Sequence, residues 1–174
     1  MKQIILTTTL LAAFYAASFA QQITGNGNLV TKSRPIEAYS AVTLNGSIDV
    51  VIEQGDKKSV DVIADENLQD IITTEVKDNT LIISTKPHTG FNTKNKTEVH
   101  VYNSKLESVS VNGSGDISGK GKFQFGDLNI DINGSGDIDL TADDNNLHLN
   151  TKGSGDIKME GNYNKVEASS NGSG

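Results

Sequence analysis

The sequence predicts an all-β fold: a parallel β-helix with coils of about 19–21 residues, preceded by an irregular N-terminal β head. Three observations point there. The 174 residues include 17 Gly and only 2 Pro, no Trp, no Cys and 5% aromatics, so the core must be built from many small and β-branched side chains. The hexapeptide NGSGDI stands at Asn112–Ile117 and again at Asn133–Ile138, and KGSGDI follows at Lys152–Ile157. No stretch after residue 20 sustains an apolar i, i+3, i+4, i+7 pattern, and the nearest approach to one, ADENLQDII at Ala64–Ile72, is short.

The first element is an export signal over residues 1–20. Lys2 supplies its charge, Ile4–Ala17 its apolar stretch, and Ser18 and Ala20 the small residues before a cleavage expected after Ala20. A membrane anchor is the competing reading, but Thr7, Thr8 and Thr9 interrupt a run that is shorter than the roughly 18–20 apolar residues a spanning helix needs. With no Cys at the cleavage point, a lipid anchor is not expected. The mature chain is therefore expected to be exported, to the periplasm, the outer-membrane surface or the extracellular space, and to carry no transmembrane span. Loss of Lys2 takes the 15 Lys and Arg to 14 against 22 Asp and Glu, and the formal charge from −7 to −8. That balance argues against nucleic acid and anionic lipid, which need a clustered basic face. The absence of Cys removes disulfides, thiolate metal sites and a cysteine nucleophile.

Residues 21–97 form the head. LNGSIDVVI, Leu44–Ile52, is a worn copy of the later repeat; SVDVIA, Ser59–Ala64, alternates as a strand; TTEVKDNTLIIST, Thr73–Thr85, predicts a hairpin turning near Asp78 and Asn79. KPHTGFNTKNK, Lys86–Lys96, reads as a long connector. The head is expected to cover the N-terminal end of the coils, because an open end exposes unpaired backbone groups.

Residues 98–174 form the coils. Registered on Gly113, Gly134, Gly153 and Gly172, the repeats are spaced by 21, 19 and 19 residues. Four residues before each Gly stand Val109, Ile130, Leu149 and Ala168; two before stand Val111, Ile132, Thr151 and Ser170; four after stand Ile117, Ile138 and Ile157. Polar residues fill the alternate columns, so each repeat is a strand, a corner and a second strand, continued inward by Leu140 and Met159. Stacking repeats about 4.8 Å apart buries the apolar columns that one repeat alone leaves exposed. The corner consists of Gly113, Ser114, Gly115 and Asp116, then Gly134, Ser135, Gly136 and Asp137, then Gly153, Ser154, Gly155 and Asp156. Glycine there lets successive coils approach closely, and each Asp can accept hydrogen bonds from turn N–H or Ser hydroxyl groups. Thr141–Asn146 and Gly161–Lys165 read as outward loops. The chain stops at Asn171–Gly174, one residue short of the next Asp, so further chain, or a cap from a partner, is expected beyond it.

ITGNGNLVTKSRPIEAYSAVTLNGSIDVVIEQG, VDVIADENLQDIITTEV and the GSGDI repeats together resemble the head GIN domain family of proposed auto-transporter adhesins, exported proteins seen mainly in the Bacteroidetes. The likeness covers most of Ile23–Gly174, although no literal Gly-Ile-Asn triplet occurs. It implies a right-handed β-helix related in shape to pectin lyases, without an identifiable catalytic set, and a role in adhesion.

The candidate chemistry is sparse. His88, His100 and His148 show no metal-ligand spacing and are expected in solvent-exposed structural roles. No GxSxG elbow is present. Pectate lyases use carboxylate-bound Ca²⁺ and a basic residue, commonly Arg; here Arg34 lies in the head, far in sequence from the Asp column, and Lys120, Lys152 and Lys158 are the other candidate bases. Asp116, Asp137 and Asp156 are the residues a structural Ca²⁺ would take, since stacked carboxylates repel. Exposed like charges about 4.8 Å apart interact by only about 1 kcal/mol in water, so no ion and no cofactor is expected. For carbohydrate stacking, only Tyr163, Phe123, Phe125 and Tyr102 are at hand. The expected function is a non-catalytic exported binding or adhesion module whose partner is a cell-surface glycan or an envelope protein. The alternatives are a scaffold spacing another domain and a polysaccharide-processing enzyme. Oligomeric state, ligand and number of coils are left open by the sequence.

Overall fold

The computed structural model describes residues 21–174, so the export signal expected over residues 1–20 lies outside the described residues. Among the described residues the structure is all-β, with a single 3₁₀ turn at Glu66–Leu68. Two mixed seven-stranded sheets share one core. Sheet I runs in the order β16 (Tyr163–Gly172), β14 (Asp144–Gly153), β12 (Asp127–Gly134), β10 (Ser108–Gly113), β3 (Ala41–Gly46), β7 (Thr80–Thr85) and β6 (Ile72–Lys77). Sheet II runs β15 (Ile157–Glu160), β13 (Ile138–Ala142), β11 (Ile117–Phe123), β4 (Asp49–Glu53), β9 (Glu98–Tyr102), β5 (Ser59–Asp65) and β2 (Leu29–Pro35). From β10 to β16 the chain alternates between the two sheets; β10 pairs parallel with β3 and β11 with β4, and from β12 on each strand pairs parallel with the one two places earlier.

Register follows the repeat columns. Val109 faces Ile130, Ile130 faces Leu149 and Leu149 faces Ala168, while Ile117, Ile138 and Ile157 align in sheet II. The inward residues from Val42 and Leu44 through Ile132 and Leu140 are fully or almost fully buried; Leu149, Ile157 and Met159 are partly buried, and β16 is exposed over nearly all its length. The worn repeat at Leu44–Ile52 stacks in register beneath the first full one, with Gly46 opposite Gly113 and Val50 opposite Ile117.

The difference between 21 and 19 residues has a local cause. Partners in β11 and β13 are 21 residues apart at Ser118–Asp139 and 19 apart at Lys122–Thr141, so a bulge between Ser118 and Lys122 absorbs the two extra residues. Gly119 stands in that bulge opposite Ile52, where a side chain would collide with the ring of Phe123 and with Leu140. Phe123 is fully buried and stacks on Phe125 with ring centroids 4.8 Å apart. It fills the core space that Gly119 leaves, which removes it from the surface aromatics the sequence offered for carbohydrate stacking.

The other edge of each sheet changes direction. β7 and β9 extend the parallel pairing by one layer, and β6, β5 and β2 then add antiparallel strands. The expected hairpin is β6–β7, with Asp78 and Asn79 both at positive φ (47° and 62°), the paired left-handed conformations of a two-residue hairpin turn. Two expectations need correction. The connector Lys86–Lys96 contains β8 (Thr89–Asn92), which pairs parallel with β1 (Gln21–Thr24), because buried Asp65 gathers Thr93 Oγ1 and Asn95 Nδ2 and fixes the segment against β5. Thr141–Asn146 and Gly161–Lys165 are not simple outward loops: Asp144 is buried and accepts the N–H groups of Phe125 and Gly126, so strand pairing starts there.

Candidate binding face

At the corner, Ser135 N–H and Gly136 N–H both donate to the carbonyl of Gly113, and Ser154 and Gly155 repeat the pattern on Gly134, as Ser114 and Gly115 do on Gly46. Gly134 has φ +146°, and a Cβ there would overlap the Gly113 carbonyl; Gly113 and Gly153 stand in the same relation to the coil before them. Gly115, Gly136 and Gly155 are buried against the preceding corner, whereas Ser114, Ser135 and Ser154 are exposed. The one corner with a large residue is the first: Ile48 takes the place of the second Gly and is fully buried.

Asp116, Asp137 and Asp156 do form a column, and it starts one coil earlier than expected, at Asp49. Asp116 N–H donates to Asp49 Oδ1 (3.2 Å), Asp137 N–H to Asp116 Oδ1 (2.8 Å) and Asp156 N–H to Asp137 Oδ1 (2.8 Å). The carboxylates of Asp49, Asp116 and Asp137 are thus each engaged by the backbone of the next repeat, which accounts for the residue type there without an ion. Among the described residues no group of three or more His, Asp or Glu is placed to hold a metal.

The outward faces of the two sheets differ sharply in charge. Sheet II carries ion pairs across its strands. Lys120 Nζ lies 2.8 Å from Glu53 Oε1 and Lys158 Nζ 3.1 Å from Asp139 Oδ2, and just before β9 Lys96 Nζ lies 2.6 Å from Glu98 Oε2. The hydrogen bond from Lys120 holds the Glu53 carboxyl below its ordinary range. Asp61 is held down to about 2, first by the hydrogen bond from Lys57 and then by those from Ser33 and Tyr102. Tyr102, half-buried and donating to Asp61, is pushed up to about 12 by burial and by that carboxylate. His88 is exposed as expected and His148 is partly so, but His100 is not: its side chain is only 12% exposed, with Nδ1 2.7 Å from Glu53 and Nε2 3.0 Å from Glu98. The pairing of β4 with β9 puts carboxylates on both sides of that ring.

Sheet I presents mainly amides and hydroxyls, its ion pairs among the described residues being confined to the β14–β16 edge, where Glu167 meets His148 (3.0 Å) and Lys165 (2.6 Å). Asn112 Nδ2 donates to Asn45 Oδ1 (3.0 Å) and Asn133 Nδ2 to Asn112 Oδ1 (3.1 Å), while Asn150 Nδ2 donates to Asp131 Oδ1 (3.0 Å). The sequence shows outward columns of Asn, Asp, Ser, Thr and Lys, and the structure adds which side chains in them pair with one another. The signal for the Asn ladder is the residue just before the corner glycine, Asn45, Asn112 and Asn133, a column that runs through three corners before Lys152 interrupts it. Arg34, the candidate lyase base of the head, is instead tied to the backbone carbonyls of Gln69 and Ile72.

The sequence model of a family described as "Putative auto-transporter adhesin, head GIN domain" matches residues 38–174. The chain belongs to the head GIN domain family. Solved structures share the architecture of this head GIN chain. One is named a "putative lipid binding protein" of Parabacteroides distasonis ATCC 8503: 28% identity, TM-score 0.77, covering 86% of this chain and 65% of that one. A "putative adhesin" of Bacteroides fragilis NCTC 9343 is 22% identical with TM-score 0.78, covering 86% of this chain and 79% of that one. Another "putative adhesin", also from P. distasonis ATCC 8503, is 24% identical with TM-score 0.64, covering 86% and 73%. The head GIN chain thus spans 65% of the length of the first of these proteins. No curated protein matches it.

Proposed function

We propose that this head GIN protein is a non-catalytic binding or adhesion module, exported to the cell envelope or surface after removal of residues 1–20. In this reading a head of residues 21–97 closes one end of a right-handed parallel β-helix, and the coils of residues 98–174 present the contact surface to a cell-surface glycan or an envelope protein. The observation that carries it is the pair of outward sheet faces, whose polar side chains are fixed in columns by hydrogen bonds from coil to coil. A ligand meets groups already ordered, so less conformational entropy is lost on binding. Membership of a family described as adhesins supports the same reading. No residue is given a catalytic role, and Ca²⁺ is not needed for the fold.

The test is a binding assay of the mature protein on glycan arrays and on whole bacterial and host cells, with Ca²⁺ and with chelator. Saturable binding that chelator leaves unchanged is expected. Absence of binding to every surface would overturn the adhesion reading, and binding lost on chelation would return the Asp49–Asp156 column to the status of a metal site.

A further inference from the structure

We infer that the outward face of sheet I, and not that of sheet II, is the ligand face, and that its ligand is an uncharged polyhydroxyl chain, a neutral polysaccharide lying across the strands. The inference rests on the binding-module reading and narrows it.

The first argument is charge. One central row of outward positions reads Thr43, Ser110, Asp131 and Asn150 from β3 to β14, and its neighbour reads Asn45, Asn112, Asn133 and Lys152. Of these eight positions six are neutral, and on β3, β10 and β12 only Asp131 carries a formal charge. Sheet II spends its outward positions on ion pairs between its own strands. In these rows on β3, β10 and β12 a charged ligand would find one carboxylate, Asp131, and no cation. On sheet II it would have to displace existing pairs. An uncharged ligand meets neither obstacle on sheet I.

The second argument is the unused hydrogen-bonding capacity of the Asn ladder. An Asn amide has two N–H donors and two acceptor lone pairs. The central Asn112 donates one N–H to Asn45 and accepts one from Asn133. One donor and one acceptor remain, held in fixed orientation and repeated at the strand spacing of about 4.8 Å. A hydroxyl both donates and accepts, so successive hydroxyls of a sugar chain can satisfy successive amides; carboxylates and ammonium groups, which do only one, cannot. The third observation is shape. A groove of about 250 Å³ crosses β12, β14 and β16 on this face, with Asn129, Asp131, His148, Asn150, Glu167 and Ser169 on its walls, His148 and Glu167 being paired to each other, so it runs along the stack and across the strands.

The test uses immobilised neutral polysaccharides (a glucan, a mannan, a xylan) and acidic ones (polygalacturonate, alginate), with binding measured from about 50 to about 500 mM salt, a range over which exposed charge pairs are screened. The double variant Asn112→Ala/Asn133→Ala and the single variant Ser110→Arg alter sheet I; Ser118→Arg places the same charge on sheet II. Binding to at least one neutral polymer, changing less than about twofold with salt, is expected. Both sheet I changes should weaken it about tenfold, two lost hydrogen-bonding amides being worth that much, with Ser118→Arg unchanged. Circular dichroism and unfolding midpoints establish that each variant is folded, and Ser110→Arg keeps the ladder itself intact. Binding confined to acidic polymers, binding that collapses with salt, binding to a protein and no polysaccharide, or loss in Ser118→Arg alone would overturn the face assignment while leaving a binding module. Failure of the unaltered protein to bind polymers or cells would overturn both.

Discussion

At the scale of residues, the corner glycines carry the fold. Gly134 combines a φ of +146° with the Gly113 carbonyl in the space a Cβ would need, whereas Gly126 has a φ of +101° and open space around it. Ala at the two positions separates backbone strain from collision. Gly126→Ala is expected to cost about 1–3 kcal/mol of strain alone. Gly134→Ala adds a backbone overlap that cannot be relieved by rotating a side chain, worth about 1–3 kcal/mol more, and should be destabilised accordingly in urea unfolding. Equal midpoints for the two variants would mean that coil-to-coil contact at the corner is not what selects glycine. The Asp column obeys a related logic. Asp49, Asp116 and Asp137 each accept the next repeat's N–H, so the repeated carboxylate is a device for stacking before it is anything else.

At the scale of elements, the repeat was readable because one physical demand, an inward apolar column, recurs every 19–21 residues. Val109, Ile130 and Leu149 had to align, and they do. The turn at Asp78 and Asn79 was equally legible, since those residue types tolerate positive φ. What the sequence hid were contacts between distant segments. β8 is held by Asp65, some 28 residues earlier, and His100 is flanked by a Glu from another strand 47 residues away. Likewise Phe123 looked like a surface aromatic until the bulge brought it over Gly119. Of the site, the Gly-Ser-Gly-Asp corners were visible as a pattern, but the contrast between the two outward faces needed the pairing of strands. That contrast has a pH signature on sheet II. The Asp61 carboxyl, lowered from 3.8 to about 2, and the lowered Glu53 ionise more readily in the folded chain. They therefore stabilise it fully above their unfolded values, and that contribution is lost as pH falls below about 4 toward 2. Unfolding midpoints should drop across this window, and Asp61→Asn should flatten the drop. A variant with the same acid profile as the parent would show that the Lys57–Asp61–Tyr102 group adds nothing to it.

At the scale of the molecule, the fold uses few large side chains and no disulfides, and it gains order by making every coil a template for the next. Antiparallel strands end the parallel pairing on both sheets, and the parallel strands carry two polar outward surfaces, that of sheet II the richer in ion pairs. The account treats those surfaces as places where a ligand is held and left chemically unchanged. One incubation tests this most directly. The mature protein is mixed with a polysaccharide it retains, bound and free polymer are separated, and both fractions are analysed for chain length and for unsaturated ends. The account predicts saturable retention with polymer recovered at its full length; shortened or unsaturated chains appearing in proportion to protein and time would contradict it.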